Sequence, residues 1–500
     1  MNALDIPEIR TIIANLLPKS DLVSCSCVSR DWRDSSTPLL YRDVVLSKYG
    51  PGIESVESNK HFIRYLELDK RFYEESAWTS VQQIVLSIII SNTRLSRLIL
   101  ETEAYGPKEC LMGPNGAKAL SKALMVNTTL TTLDLACNSI ERNGAKALSK
   151  ALKINSTLTT LNLRFCSIDS DGIRALSAAL KCNSTLTTLD LSQNSIDVDG
   201  ALALSDALKI NSALTDLNLH MNDIGGVGAE VLLDALKINS TLIKIELGDN
   251  SIEQNIDQVL IETLKSNSTL TELSLANDSI GNFEAHAISA ALKVNSTLAT
   301  LNLGCNNIND GGALALSEAL KINSTLTSLY LYINEIGDDG VQALSDALKV
   351  NKTLATLSLG NNYCLENGAR ALSEALKINT TLTSLNLDAN VSDGYECCIG
   401  DDGAQALSEA LRANSSLITL SLADNAITDK GAIALIEALK INATLTSLDL
   451  SKNNIGPSTV RATIEALEAN STLTTLNLEL NAIGEQGVQE IRKIMQTRQY

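Results

Sequence analysis

Hydrophobic positions in this chain follow one phrase that repeats through most of its length. Each copy begins L-x-x-L-x-L-x-x-N-x-I and continues, after three further residues, as G-A-x-A-L-x-x-A-L-K-x-N. The leucines of the first part alternate with polar residues, which predicts a short strand with one buried face. In the second part Ala145, Leu148 and Leu152 recur at i, i+3 and i+7, which predicts a helix with one apolar stripe. Each copy therefore predicts a strand followed by a helix.

The leucine pairs of the predicted strands recur at a fixed distance. The first leucine of each pair stands at position 133, 161, 189, 217, 245, 273, 301, 329, 357 and 385, in steps of 28 residues, and then at 420, 448 and 476. A step of 35 residues precedes position 420, and another joins Leu98 to Leu133. We interpret the two longer steps as insertions near residues 101–113 and 391–398. Leu66 and Leu68 indicate a degenerate first copy.

One strand and one helix of this size cannot bury their apolar faces alone, so successive copies must stack. Parallel strands lie about 4.8 Å apart, whereas helix axes need about 8 to 10 Å, so the stack has to curve with its strands inside. We therefore expect an α/β horseshoe solenoid with parallel strands on the concave side and helices on the convex side.

The repeated phrase resembles the leucine-rich repeat, and its helical unit of 28 residues is similar to the ribonuclease-inhibitor type of that family. The resemblance covers residues 95–500. It implies a solenoid that binds another protein.

Two asparagines of the phrase have predicted structural roles. The first follows the strand, at Asn138, Asn194, Asn222 and Asn306, where its side chain can bond the open backbone of the turn. The second ends the helix, and in twelve of its thirteen copies it begins a glycosylation sequon, which Asn211 lacks because Ala213 stands at the third place. We interpret this second asparagine as a helix stop in the left-handed conformation, not as a glycan acceptor.

Residues 4–46 lie outside the period and predict three short helices. Asp5 can cap the first helix, with Glu8 three residues later, and Pro18 ends it. A second helix follows Ser20 or Asp21.

This amino-terminal stretch resembles an F-box in the segments Ile6-Pro7-Glu8-Ile9, Leu16-Leu17, Asp21-Leu22 and Val28-Ser29-Arg30-Asp31-Trp32-Arg33. The resemblance implies a Skp-type adaptor of a cullin–RING ubiquitin ligase as partner, bound through Ile6, Pro7, Ile9, Leu16, Leu22, Val28 and Trp32. A cap over the first repeat is the alternative, and one segment can do both.

We divide the chain into an F-box-like helical module at 1–46, a junction with the degenerate first repeat at 47–94, and the repeats at 95–500.

Most residues on the predicted concave face are small, so the exceptions are candidates for binding a protein substrate. One group is Tyr330, Tyr332 and Ile333, with Gly304 and Gly360 expected to leave open room beside Tyr332. The other group is Arg164, Phe165, His220 and Met221. Alternating charges at Asp216, Lys244 and Glu272 are expected to pair with one another.

Composition narrows the choice of partner and compartment. The formal net charge of −18 repels polyanions, so we expect neither nucleic acid nor an anionic membrane as partner. No apolar run reaches the roughly 18 residues of a membrane span, and the first residues do not resemble a signal peptide. The ten cysteines show no metal-binding or disulfide spacing. We expect a cytoplasmic or nuclear protein with reduced thiols and without a metal or cofactor.

The sequence leaves three functions open. The F-box resemblance favours a substrate receptor of a Skp–cullin–F-box ubiquitin ligase, whose chemistry belongs to partner subunits. A scaffold or an inhibitor of a protein partner, similar to ribonuclease inhibitor, is the second. A GTPase activator similar to that of Ran is the third, with Arg142 as the nearest candidate for its loop arginine. None of the common catalytic motifs occurs, so an enzyme is not expected.

Overall fold

The computed structural model describes residues 43–46, 63–68, 78–101, 112–252, 256–390 and 398–497. Throughout these ranges short parallel strands alternate with helices, which confirms the predicted α/β class. The described residues form two compact units. One contains residues up to Ile224 together with Ile238–Leu242, and the other contains Gly225–Lys237 and the residues from Ile243 onward.

The first unit alternates strands and helices from its second strand onward. Its strands are β1 (Asp43–Leu46), β2 (Tyr65–Leu68), β3 (Arg97–Ile99), β4 (Thr132–Asp134), β5 (Thr160–Asn162), β6 (Thr188–Asp190) and β7 (Asp216–Asn218). Its helices are α1 (Trp78–Ser91), α2 (Gly113–Leu124), α3 (Glu141–Leu152), α4 (Ser170–Leu180) and α5 (Val198–Leu208). Each strand pairs in parallel with the next one in the chain.

The second unit continues the same alternation. Its strands are β8 (Lys244–Glu246), β9 (Glu272–Ser274), β10 (Thr300–Asn302), β11 (Ser328–Tyr330), β12 (Thr356–Ser358), β13 (Ser384–Asn386), β14 (Thr419–Ser421), β15 (Ser447–Asp449) and β16 (Thr475–Asn477). Its α-helices are α6 (Gly225–Leu236), α7 (Asp257–Ser266), α8 (Asn282–Leu292), α9 (Asp310–Leu320), α10 (Asp338–Val350), α11 (Glu366–Leu376), α12 (Gly400–Ala413), α13 (Asp429–Leu439), α14 (Val460–Ala469) and α15 (Glu485–Thr497). Consecutive strands again pair in parallel.

The strand register follows the leucine pattern of the sequence. Leu133 lies opposite Leu161, and the leucines of later strands are aligned in the same way. Both steps of 35 residues keep this register, since Leu98 pairs with Leu133 and Leu385 with Leu420. Residues at equivalent positions of neighbouring repeats therefore lie side by side.

The core of each unit is a column of aliphatic side chains between the strands and the helices. Leu133, Leu161 and Leu189 are at most 1% exposed, and the alanines on the inner faces of the helices are equally buried. The helices approach closely at their repeated glycine. A Cβ on Gly144 would lie 2.6 Å from Cγ2 of Ile140 and 2.9 Å from Cβ of Ala117, so only glycine lets α3 reach α2 here.

Several helices of the second unit are capped by an aspartate of the preceding repeat. Oδ1 of Asp310, the first residue of α9, accepts hydrogen bonds from the backbone N–H of Gly337 (2.7 Å) and Gly340 (2.8 Å) at the start of α10. The same pair of contacts joins Asp338 to Leu365 and Gly368, and Asp401 to Thr428 and Gly431. These carboxylates satisfy N–H groups that a helix cannot pair internally.

The parallel sheet begins before the predicted domain boundary. Residues 43–46, which we assigned to a helical module at 1–46, form strand β1, and Val44 pairs with Leu66 of β2. Residues 1–42, with every predicted adaptor-binding residue, lie outside the described residues.

The sequon asparagines stop the helices in a different way from the one we predicted. Asn267, Asn351 and Asn414 have φ values of −76°, −65° and −77° with extended ψ, so the left-handed conformation is wrong. Their side chains end the helix instead, through hydrogen bonds to backbone groups.

Asn323 shows how. Its Oδ1 accepts hydrogen bonds from the N–H groups of Thr325 (3.0 Å) and Leu326 (2.7 Å), and its Nδ2 donates to the carbonyl of Leu292 (2.8 Å) in the preceding repeat. The side chain is only 6% exposed. It therefore pairs backbone groups that water cannot reach, and its amide nitrogen is not available to a glycan.

The asparagine that follows each strand bonds the turn, as predicted. In Asn306, Nδ2 donates to the carbonyls of Leu275 (2.8 Å) and Leu303 (3.0 Å), while Oδ1 accepts from the N–H of Ile280 (2.9 Å). Asn138, Asn194 and Asn222 make the same bonds to their own turns. Where it occurs, as at Asn194 and Asn306, this asparagine also joins its repeat to the one before it.

Asp278 takes the place of this asparagine in the repeat that contains β9. Its Oδ1 accepts from the N–H of Asn250 (2.7 Å), but Oδ2 stands where the other repeats have a donating nitrogen and is buried without a partner. Burial raises the pKa of Asp278 to about 7; bonds from the N–H groups of Asn250 and Ile252 oppose the rise, and nearby Asp249 adds to it. A neutral carboxyl fits this position better than a carboxylate.

We expect Asp278→Asn to raise the free energy of unfolding by about 1 to 3 kcal/mol at pH 8 and by much less at pH 5, because it restores the missing donor. The folded pKa lies above the ordinary value of 3.8, so the folded chain keeps a proton that the unfolded chain releases. The stability of the unchanged protein should therefore fall as the pH rises through this interval and stay level above it. Urea unfolding at the two pH values measures the effect.

Asn306→Asp is the reciprocal control and should introduce a similar loss of stability at high pH. An equal gain from Asp278→Asn at pH 5 and pH 8 would contradict this account of the carboxyl.

Candidate functional site

The candidate binding surface consists of the exposed positions in and after the strands. Asparagine or aspartate commonly occupies the last strand position, and there it serves the fold. Oδ1 of Asn162 accepts from the N–H of Arg164 (2.9 Å), and its Nδ2 donates to Oδ2 of Asp134 in the preceding strand (3.0 Å). Because these polar groups are already bonded, the side chains that depart from the pattern are the better candidates for binding.

Tyr330 makes such a departure in the second unit. It stands opposite Asn302 and Ser358 and is half-buried, as is Tyr332 two residues later. Ile333, which follows, is 45% exposed. The structure thus places the three predicted residues on one strand end and the turn after it.

The space around Tyr332 is smaller than we expected. Gly304 does not leave room beside the ring, because the ring itself lies over it: a Cβ on Gly304 would be closer than 3.0 Å to three ring carbons. On the other side, a Cβ on Gly360 would meet Oδ1 of Asn386. The ring of Tyr332 is therefore positioned against Gly304, and a partner would meet a ring that is already placed.

Ile333 has a left-handed backbone with φ of 51°. The equivalent residue of each repeat from Cys137 to Leu480 is also left-handed, so the turn after the strand requires this conformation. Asparagine, aspartate and glycine adopt it most easily, and a β-branched residue adopts it at a cost. Phe165, Met221 and Ile333 are large apolar residues that stand here and are 36%, 47% and 45% exposed. All three belong to the groups predicted from the sequence.

The second predicted group lies in the first unit, in the segments that follow β5 and β7. Nε of Arg164 donates to Oε1 of Gln193 (2.7 Å), and Nε2 of Gln193 lies 3.3 Å from Sδ of Met221. His220 is exposed next to Met221. The structure therefore brings these residues together across three repeats.

Gln193 was missed by the sequence analysis although it connects the group. It stands 28 residues after Phe165 and 28 before Met221, so the repeat itself contained the signal.

The charged row on the strands forms ion pairs within the second unit. Nζ of Lys244 lies 3.2 Å from Glu272 and 3.1 Å from Glu246. The predicted pairing of Lys244 with Glu272 is confirmed, and this lysine is engaged within the fold.

Both insertions fall largely outside the described residues, which exclude 102–111 and 391–397. No helix in the described ranges has the length and apolar character that crossing a membrane requires. Nor do those ranges contain a group of His, Cys, Asp and Glu side chains suited to hold a metal ion.

We expect Ile333→Asn to raise the free energy of unfolding by about 1 kcal/mol, because asparagine adopts the left-handed backbone with less strain. Asn361 occupies the same position in the next repeat, so Asn361→Ile should lower the free energy by a similar amount. Thermal unfolding of both variants measures the two changes. A loss of stability in Ile333→Asn would mean that contacts of the isoleucine outweigh its strain.

Comparison with known families supports the repeat architecture. A family model described as Leucine Rich repeat matches residues 126–149, 155–177, 182–205, 211–233, 294–317, 323–345, 396–408, 413–435, 442–462 and 469–491. No curated protein matches the chain.

Two solved structures illustrate the similarity. Leiomodin-1 Actin-Binding Site 2 is 28% identical, with 31% of this chain and 90% of that chain covered and a TM-score of 0.27. An internalin of Listeria monocytogenes is 21% identical, with 75% of this chain and 87% of that chain covered and a TM-score of 0.43. Together with the parallel strands and alternating helices, the family matches show that this chain is built of leucine-rich repeats.

Proposed function

We propose that this chain is the substrate-recognition subunit of a Skp–cullin–F-box ubiquitin ligase. Leucine-rich repeats indicate a protein-binding scaffold, and here they would hold the protein substrate. Residues 4–46, which resemble an F-box, would bind the Skp-type adaptor. The chain itself would supply proximity and orientation, while the chemistry of ubiquitin transfer would belong to its partners.

The observation that carries the substrate-binding half is the group of Tyr330, Tyr332 and Ile333. Binding energy at protein interfaces is concentrated in a few large side chains that are already ordered before the partner arrives. Tyr332 meets this condition because its ring lies against Gly304. Ile333 adds exposed apolar area at a backbone position where a polar residue would be less strained.

The group of Arg164, Phe165, His220 and Met221 supports a second contact on the first unit. Its guanidinium and apolar side chains are the types enriched at interfaces, and Gln193 holds Arg164 in place.

The geometry of Arg142 argues against the GTPase-activator alternative. Its Nη2 lies 2.6 Å from Asp169 and its Nη1 lies 2.7 Å from Asp171. Such an activator needs an arginine that can reach a bound nucleotide, whereas this side chain is held by two carboxylates of the next repeat. A scaffold or inhibitor without a ligase is the alternative function. Binding of the Skp-type adaptor distinguishes it from the ligase subunit.

Purified Skp-type adaptor should bind the full-length protein, and the double change Pro7→Ala with Trp32→Ala should abolish the binding. Isothermal titration calorimetry measures the affinity. The variant Ile322→Ala with Val350→Ala, altered at two exposed repeat residues, is the control and should bind normally. A folded wild type that fails to bind the adaptor would reduce residues 4–46 to a cap over the repeats and leave the scaffold function.

Tyr330→Ser with Tyr332→Gly should remove substrate binding without unfolding the repeats, because serine and glycine stand at these positions in the next repeat. Chemical cross-linking in cells followed by quantitative mass spectrometry would compare the partners of the variant and the wild type. Asn477→Ser with Glu479→Gly makes the equivalent changes on β16 and serves as the control. An unchanged set of partners in the tyrosine variant would place substrate binding elsewhere.

A further inference from the structure

The helix side of the first unit carries a group of lysines that the strand-face proposal does not use. Lys118 and Lys122 stand on α2, Lys146 and Lys150 stand on α3, and Lys153 follows α3; all five are exposed. No carboxylate among the described residues forms an ion pair with any of them, although the chain as a whole has a formal charge of −18. We call these five residues the lysine patch.

The repeat shows that this arrangement is specific to two helices. Lys122 and Lys150 occupy the helix position that is Asp or Glu in most other repeats, as in Glu318, Asp346 and Glu374. There the acid pairs with the lysine three residues later, at 2.6 Å for Glu318, 2.8 Å for Asp346 and 2.7 Å for Glu374. On α2 and α3 a lysine replaces the acid, so neither helix has this ion pair, and on α2 Met125 stands in place of the lysine three residues later.

The patch has a defined geometry. Within each helix the two lysines are four residues apart, which places them about 6 Å apart along the axis. The contact of Gly144 with Ala117 brings α3 against α2, so the two pairs are separated by about 8 to 10 Å. Like charges at this spacing repel one another, and the only opposing interaction that the described residues show is that of Lys146 with the nearby carboxylate of Asp169.

Exposed aliphatic side chains border the patch. Val126 follows α2 and is 61% exposed, and Ile154 follows α3 and is 64% exposed. The surface therefore combines five exposed ammonium groups with two apolar contacts at one end.

We infer that the outer face of α2 and α3 is a docking surface for an acidic segment of another protein that also carries apolar side chains. The charge of the patch is complementary to closely spaced Glu or Asp residues, and Val126 and Ile154 can receive the apolar ones. This inference is independent of the proposed ligase function.

A short acidic segment suits the patch better than an extended polyanion. Charges separated by more than about 8 Å are largely screened at physiological ionic strength, so a short segment experiences chiefly the local lysines. A membrane or a nucleic-acid duplex is a larger anionic body, and it would also approach the acidic surface that gives the chain its charge of −18.

The test uses the full-length protein and a fluorescein-labelled peptide of five Glu-Glu-Leu repeats, with fluorescence anisotropy as the readout. The patch variant carries Lys118→Gln, Lys122→Gln, Lys146→Gln and Lys150→Gln. The control variant carries Lys321→Gln, Lys349→Gln, Lys377→Gln and Lys440→Gln, which remove the same net charge from ion-paired lysines. Circular dichroism melts show whether each variant is folded.

We expect the wild type and the control to bind the peptide equally, with an affinity that falls as salt increases, and the patch variant to bind at least about tenfold more weakly. No binding by the wild type at low salt, or an equal loss in both variants, would overturn the inference. Vesicles containing phosphatidylserine are tested in parallel. Binding to vesicles that exceeds peptide binding and needs the four lysines would reassign the patch to a lipid surface.

Discussion

The buried amide of asparagine is the interaction on which this structure depends. The strands are only three residues long in most repeats, and their hydrogen bonds leave the turns and helix ends unpaired. Two asparagines per repeat complete the pairing, one after the strand and one after the helix, and both reach back to carbonyls of the preceding repeat. An amide carries two N–H donors and an acceptor oxygen, so one asparagine can serve several N–H and C=O groups together. Asp278 illustrates this requirement, because a carboxylate has no N–H to donate and its Oδ2 is buried without a partner.

The fold could be predicted because the leucines encode strand register and the alanines encode the packed face of each helix. The helix stop was predicted at the right residue and for the wrong reason. The sequence shows that the helix ends at asparagine. The same residue pattern is compatible with a left-handed backbone and with an extended backbone whose side chain forms the hydrogen bonds, so the pattern does not distinguish the two. The true left-handed position follows the strand and carries residues as different as Phe165, Gln193 and Asn361. Its conformation is imposed by the surrounding turn, so residue type does not reveal it.

The candidate site was predictable in part from the alignment of the repeats. Tyr330 and Tyr332 stand out against small neighbours in the aligned repeats, and alignment alone locates them. That the Tyr332 ring rests on Gly304 depends on a side-chain orientation that the alignment does not contain. The lysines of α2 and α3 are visible in the sequence, yet their meaning appears only when the ion pairs of the other helices show which residue they replace. Departures from a repeat are informative once the role of the usual residue is known.

The aspartate caps of the second unit give the array a direction. Asp310 caps the helix of the repeat that follows it, and Asp338 does the same one repeat later, so these helix starts take a hydrogen-bond acceptor from the repeat before them. Ribosomes release a chain from its amino terminus, so a newly made repeat meets a neighbour that already presents the carboxylate it requires. For these helices, the capping carboxylate is synthesised before the helix that needs it.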